Sequence, residues 1–290
     1  MGQSSVVSAG THEHSRRAGI ALAGAITAGA LVFGPPAQAG AALSACVASA
    51  LGSSSIGTAH CAAAGPLSTA IAIGAGSTAT AVGALDLALV VGNQSNAVAG
   101  FFGGLPGNAD LAVVLGNISG AGAAAGNANI AAVIGNGSGV GAAFGNTNIA
   151  TVIGNVSDAG AGVMGNSNIA TVLGNHSAAG AFGTLNVATI VGNQNQAGAQ
   201  GTLNRTAIVG RLNEAGAFGT NNAANVVGSQ NMAAASGSNN RVTVFGHLSQ
   251  AGAGPGNGNG ATVLGNTSSA VTPAGNNTHL RVIGNGKHKP

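Results

Sequence analysis

Residues 165–246 read GNSNIATVL GNHSAAGAF GTLNVATIV GNQNQAGAQ GTLNRTAIV GRLNEAGAF GTNNAANVV GSQNMAAAS GSNNRVTVF G, nine consecutive units of nine residues before the last glycine. Each unit opens on Gly, places Asn or Ser at its fourth position, and then runs through small or β-branched residues. The same phase extends outward from Gly65 to Gly284. Of the 23 intervals between recurring glycines, 17 are nine residues long. Periodicity of this kind settles the fold before any local propensity does.

Two kinds of unit alternate. In one, the residue two before the closing Gly is β-branched, as at Val152, Val172, Ile190, Ile208, Val226 and Val244. In the other it is usually Ala, as at Ala181, Ala199, Ala217 and Ala235. Four before the closing Gly stands a small residue in both kinds, such as Ala170, Ala188, Ala179 and Ala197. These two positions share parity, so on a strand they point to one face. The predicted fold is all-β: a two-sheet parallel β-solenoid, or β-roll, with about 18 residues per coil and a Val/Ile strand facing an Ala strand. Eleven coils are expected. Gly and Asn are expected to supply the positive φ of each tight corner. Asn148, Asn168, Asn186, Asn204, Asn222 and Asn240 are expected to form a turn ladder, amide bonded to amide from coil to coil. Every interval longer than nine falls in an Ala unit. The Val/Ile sheet should therefore be regular while the other absorbs insertions, the largest an extruded loop from Phe101 to Pro106.

The residues flanking the repeats divide the chain. Arg16 and Arg17 precede an apolar run, Ala18 to Phe33, and a small-x-small site at Ala37-Gln38-Ala39. Residues 1–39 thus read as a secretion signal peptide, with twin-arginine export or an uncleaved anchor as the alternatives. Residues 40–64 read as an N-terminal cap with a short helix over Ala41–Leu51, residues 65–284 as the solenoid, and residues 285–290 as a polar tail. Cys46 and Cys61 are the only cysteines. In an exported chain they are expected to form a disulfide; two free buried thiols are the other reading.

The nonapeptide resembles the calcium-binding β-roll repeat of RTX toxins and proteases, G-G-x-G-x-D-x-U-x. The first Gly matches, and Val or Ala fills the U position. The sixth position, which in that family supplies the calcium-ligating Asp, is Ala170, Ala188, Ala197 and Ala215 here. The resemblance therefore implies the architecture without the metal. The stretch 68–99 also resembles the head β-rolls of trimeric adhesins, and the Asn/Gln-rich coils at 193–240 resemble curlin repeats.

Little in the chain carries chemistry. The net charge is +3 with no basic stripe, no Trp and no Tyr, which speaks against a nucleic-acid partner. Outside the leader the acids are Asp86, Asp110, Asp158 and Glu214, expected to stand too far apart in repeat phase to form an acid–base pair. No enzyme activity, cofactor or metal is expected, and no membrane span in the mature chain. The candidate interaction face is the outward side of the Val/Ile sheet. It carries a threonine row at Thr151, Thr171, Thr189, Thr243 and Thr262, and an aliphatic or aromatic row at Ile153, Leu173, Val191, Val209, Val227, Phe245 and Leu264. A continuous apolar stripe exceeds what a soluble monomer usually shows. The expected function is that of a secreted, non-enzymatic structural or adhesive protein at the cell surface, self-associating or attaching to a cell-envelope polymer. The alternative is an ice-binding solenoid that uses the threonine row on an ice surface.

Overall fold

A computed structural model of the chain describes residues 43–102, 105–162 and 165–289, so the expected signal peptide at 1–39, with Arg16 and Arg17, lies outside the described residues. Two sheets run side by side along the whole described chain, one of 14 strands and one of 15. Together they form a β-solenoid of about 12 turns. Consecutive Val/Ile strands pair in parallel, like residue over like: Ala150 on Ala170, Val152 on Val172, Ile153 on Leu173. The Ala strands do the same, with Ala179 on Ala197 and Ala181 on Ala199.

The core follows from the period-2 alternation. Ala170, Val172 and Ile190 of one sheet and Ala179 and Ala181 of the other are buried, while the residues between them point outward. The largest fully buried side chains are Ile190, Ile208 and a file of valines, all in the Val/Ile sheet. Large residues thus meet small ones across a thin interior. The Val/Ile units keep their length, and the insertions fall in the other sheet, as expected. The longest closes on itself: Phe101–Phe102 pairs antiparallel with Leu105–Asn108, and the Gly107 N–H donates to the Gly100 carbonyl at its base.

The corners match the expectation at the opening glycine, which takes positive φ in most units, as at Gly183 (104°) and Gly192 (127°). A second positive-φ residue was not foreseen. It is the third of each unit and is seldom Gly or Asn: Leu185, Gln194, Leu203 and Leu212 take φ values of 58°, 58°, 60° and 56°. Coil stacking imposes this conformation. The N–H of Leu185 donates to the Asn166 carbonyl at 2.9 Å, and that of Leu203 to the Thr184 carbonyl at 3.0 Å. The opening glycine is required for a second reason. At Gly174, with φ of 149°, a Cβ would collide with the carbonyl of Gly192 in the next coil.

Both ends also depart from the expected boundaries. Ala45–Ser49 is a strand, where a helix over Ala41–Leu51 was expected. It runs antiparallel to Thr69–Ile73 and pairs on its other side with Gly52–Ile56. A free sheet edge recruits a short Ala- and Ser-rich segment more strongly than its weak helical propensity resists. His60–Ala64 already pairs in parallel with Thr78–Ala84, so the solenoid begins before Gly65. At the far end His288–Lys289 pairs with the strand Ser269–Thr272, so the polar tail is a last strand. These additions bring the expected eleven coils to about twelve. Cys46 and Cys61 are joined by a disulfide that ties the first strand of one sheet to the first strand of the other.

Two substitutions test the inside and outside faces. Ile208→Asp places a charge in a dry interior and should cost more than about 4 kcal/mol, whereas Thr189→Asp on the half-exposed face should cost under about 1 kcal/mol. Equal melting temperatures for the two variants would contradict the assignment. Thr206 stands where neighbouring coils have Ala188 and Ala224; it is fully buried, and its hydroxyl has no partner among the described residues. Thr206→Val should therefore raise stability by about 1 kcal/mol in denaturant melts, and a loss of stability would count against an unpaired hydroxyl.

Candidate interaction face

Strands of the Val/Ile sheet have three outward positions each. The last holds the expected aliphatic row, and it is solvent-exposed: Ile153 44%, Val209 47% and Phe245 46%, with Leu173, Val191 and Val227 similar. Leu264 is half-buried. The middle position holds Thr151, Thr171 and Thr189 in direct register, each half-buried. The row breaks at Ala207 and Asn225 and resumes at Thr243 and Thr262. In the coils from Ile149 to Val191 the threonines lie between aliphatic side chains on both sides, so their hydroxyls do not form an open plane.

A third row escaped the sequence reading. The first outward position carries Leu87, Leu111, Ile130, Ile149, Ile169 and Val187, paired one to the next through the sheet. Its signal is the apolar residue directly after each ladder Asn or Asp, at the start of the strand rather than before the closing glycine. With this row, the seven strands from Thr69–Ile73 to Val187–Asn193 form a broad apolar surface. At about 4.8 Å between strands and about 3.3 Å per residue, it covers roughly 500 Å². That is at the upper end of what soluble monomers expose. Beyond it the face changes character: Arg205, Arg241, His279 and Arg281 stand exposed on the same side.

The opposite face offers a shallow trough of about 510 Å³ on the Ala sheet. Its floor includes Gly160, Gly180, Gly198 and Gly216, and Phe182 folds back over Gly180. Asp158 and Glu214 line it, but Ala178 and Gln196 separate them in the register, three coils apart. The two cannot act as an acid–base pair.

The corner ladders combine side chains with backbone. Asn148, Asn168 and Asn186 bond amide to amide, the Nδ2 of each donating to the Oδ1 of the preceding rung at 3.1 to 3.2 Å. All six also donate Nδ2 to a glycine carbonyl of the next coil, and in Asn204, Asn222 and Asn240, at 2.6 to 3.0 Å, this replaces the amide-to-amide bond. All six are buried. A further ladder on the surface was not foreseen: Asn136, Asn155, Asn175 and Asn193 each accept the N–H of the rung before. Its signal was the repeated Gly-Asn dipeptide.

One acid placement is corrected. Asp86 and Asp110 were expected to lie apart, yet they are adjacent rungs of the buried ladder: the Asp110 N–H donates to Asp86 Oδ1 at 2.9 Å. The loop insertion between Gly92 and Gly107 stretches one coil to 24 residues and hides the equivalence. Burial pushes the carboxyl of Asp86 upward, and that of Asp110 from 3.8 to about 6.

Among the described residues no group of three His, Cys, Asp or Glu side chains is placed to hold a metal, and no helix is long and apolar enough to cross a membrane. The alanines at the RTX calcium-ligand position, Ala170, Ala188, Ala197 and Ala215, are buried in the core. Comparison with known proteins returned no match to a family model, a curated protein or a solved structure.

Proposed function

We propose that the chain is a secreted, non-enzymatic structural rod that self-associates through the outward face of its Val/Ile sheet. The observation that carries this reading is the apolar surface over seven consecutive coils, two aliphatic rows flanking a middle row that turns from aliphatic to threonine at Thr151. A flat aliphatic face with few hydrogen-bonding groups matches a second flat aliphatic face better than a hydroxyl-rich envelope polymer. Two copies stacked over this area bury about 1,000 Å², at the lower limit of a specific interface. Association is therefore reversible and concentration-dependent. The leader pattern and the two cysteines support export, and the rigid repeat supports a structural role at the cell surface.

The test uses the exported chain with its disulfide intact. Sedimentation should show a monomer–dimer or higher equilibrium in the micromolar range. Ile153→Lys with Leu173→Lys, both on the exposed face, should shift that equilibrium to monomer while leaving the β circular-dichroism signal unchanged. A wild-type chain that stays monomeric at every concentration, and instead pellets with envelope polysaccharide or shapes ice crystals, would replace self-association by the corresponding attachment.

A further inference from the structure

The buried ladder that precedes each Val/Ile strand obeys one rule from Asn129 to Asn259. Each Oδ1 accepts the backbone N–H of the following rung, as in Asn204 to Asn186 at 2.9 Å and Asn222 to Asn204 at 2.9 Å. From Asn148 on, each Nδ2 donates to a glycine carbonyl one coil ahead: Asn186 to Gly201 at 2.7 Å, Asn222 to Gly237 at 2.7 Å. In several rungs its second N–H reaches the carbonyl four residues back, as from Asn186 to Phe182 and Asn222 to Phe218, both at 2.7 Å. Each such corner therefore aims two carbonyl oxygens at one donor group.

Two rungs lack that donor. Asp86 and Asp110 are each 1% exposed. Their Oδ1 atoms behave as in the Asn rungs, accepting the N–H of Asp110 and of Asn129 at 2.9 and 2.7 Å. Their Oδ2 atoms have no partner among the described residues. A Cβ built on Gly83 would touch both Asp86 Oδ2 and the Gly107 carbonyl, and one on Gly100 would touch Asp86 Oδ2 and the Val82 carbonyl. A Cβ on Gly107 would likewise touch Asp110 Oδ2 and the Gly126 carbonyl. Val82 is four residues before Asp86, and Gly107 is the glycine of the next coil. Oδ2 thus sits among the very acceptors that an Asn amide satisfies elsewhere. An ionised Oδ2 there lies beside carbonyl oxygens in a dry corner, an arrangement that costs stability; at Asp110 the Asn129 amide opposes this, but burial outweighs it.

We infer that Asp86 and Asp110 are proton-holding rungs: as neutral acids each donates its Oδ2–H to a neighbouring carbonyl and completes the ladder, and ionisation breaks the ladder at these two coils. The neighbouring strands Thr78–Ala84, Leu87–Val91, Asn96–Ala99, Leu111–Leu115 and Ile130–Ile134, and the described part of the hairpin at 101–108, carry no Lys, Arg, His or Glu. The two carboxyls therefore face no charge but each other. The upward displacement of both groups by burial agrees with this geometry. Its sign is unusual for an acid. A raised folded-state value means the folded chain holds more protons than the unfolded one. The stabilisation is complete below about 3.8 and is lost as pH rises through about 6, the value for Asp110. The opening falls where the hairpin from Phe101 emerges and where Leu87 and Leu111, directly after the two acids, begin the apolar face.

The test compares the full chain with its Asp86→Asn/Asp110→Asn variant, in which amides replace the two acids. At about pH 7.5 the variant should melt several degrees above the wild type, and the gap should close toward zero by about pH 4. A gap that is absent, or constant with pH, overturns the inference. So does millimolar calcium closing the gap at pH 7.5, which would make the partner a cation. Carbon-13 signals of labelled aspartate carboxyls, assigned with the two single variants, provide a second readout. Asp86 and Asp110 should titrate above the ordinary carboxylate range, and ordinary titration of both would overturn the proposal even if the variant were more stable.

Discussion

Everything in this rod depends on satisfying polar groups at a corner that is both tight and buried. A coil of about 18 residues turns twice, and each turn removes backbone N–H and carbonyl groups from the regular sheet ladder. The corner side chain supplies what is missing. Ser157 shows the economical version: its hydroxyl donates to the Gly174 carbonyl at 2.9 Å and accepts the N–H of Ser177 at 3.2 Å. Asn does the same with a longer reach and a second donor. Because each bond crosses to the neighbouring coil, the ladder also fixes the register of the stack. A one-residue slip would turn Val172 and its equivalents to solvent and leave the corner carbonyls unpaired.

The corner constraint explains why the opening residue is Gly. Coil-to-coil approach at this point leaves no room for a Cβ beside the next glycine's carbonyl. It also explains the left-handed Leu and Gln residues, whose N–H groups each bond a carbonyl in the preceding coil. The conformational cost of such a residue is modest and local, and the bond it secures recurs at nearly every turn.

What could be read from the sequence was whatever repeats with a short period. Parity placed Val172 and Ala179 inside and Thr171 outside, and the length of the intervals assigned insertions to the Ala sheet. What could not be read depended on neighbours one coil away. Nothing local marks Leu185 as left-handed, because its partner is the Asn166 carbonyl. Nothing local turns Ala45–Ser49 into a strand; the exposed edge of Thr69–Ile73 does. The adjacency of Asp86 and Asp110 was masked because an insertion of six residues broke the count. On the candidate face, the pre-glycine row was legible from its position, whereas the row led by Leu87 and Ile130 became visible only once the ladder residue before it was known to point inward.

A linear stack distributes stability differently from a globular core. Each coil touches only its neighbours, so a defect is not averaged over the molecule but stays where it occurs. The two acidic rungs lie near the N-terminal end, and the Cys46–Cys61 disulfide lies one coil outside them. The covalent tie joins Ala45–Ser49 of one sheet to His60–Ala64 of the other near the end of the core. Loosening at Asp86 and Asp110 is then bounded on one side by the disulfide and on the other by the uninterrupted Asn ladder. In such an arrangement the weak segment can respond to its surroundings without fraying the rod. The apolar face from Ile149 on, whose strands rest on Asn rungs with paired amides, keeps its geometry whatever the state of the two acids.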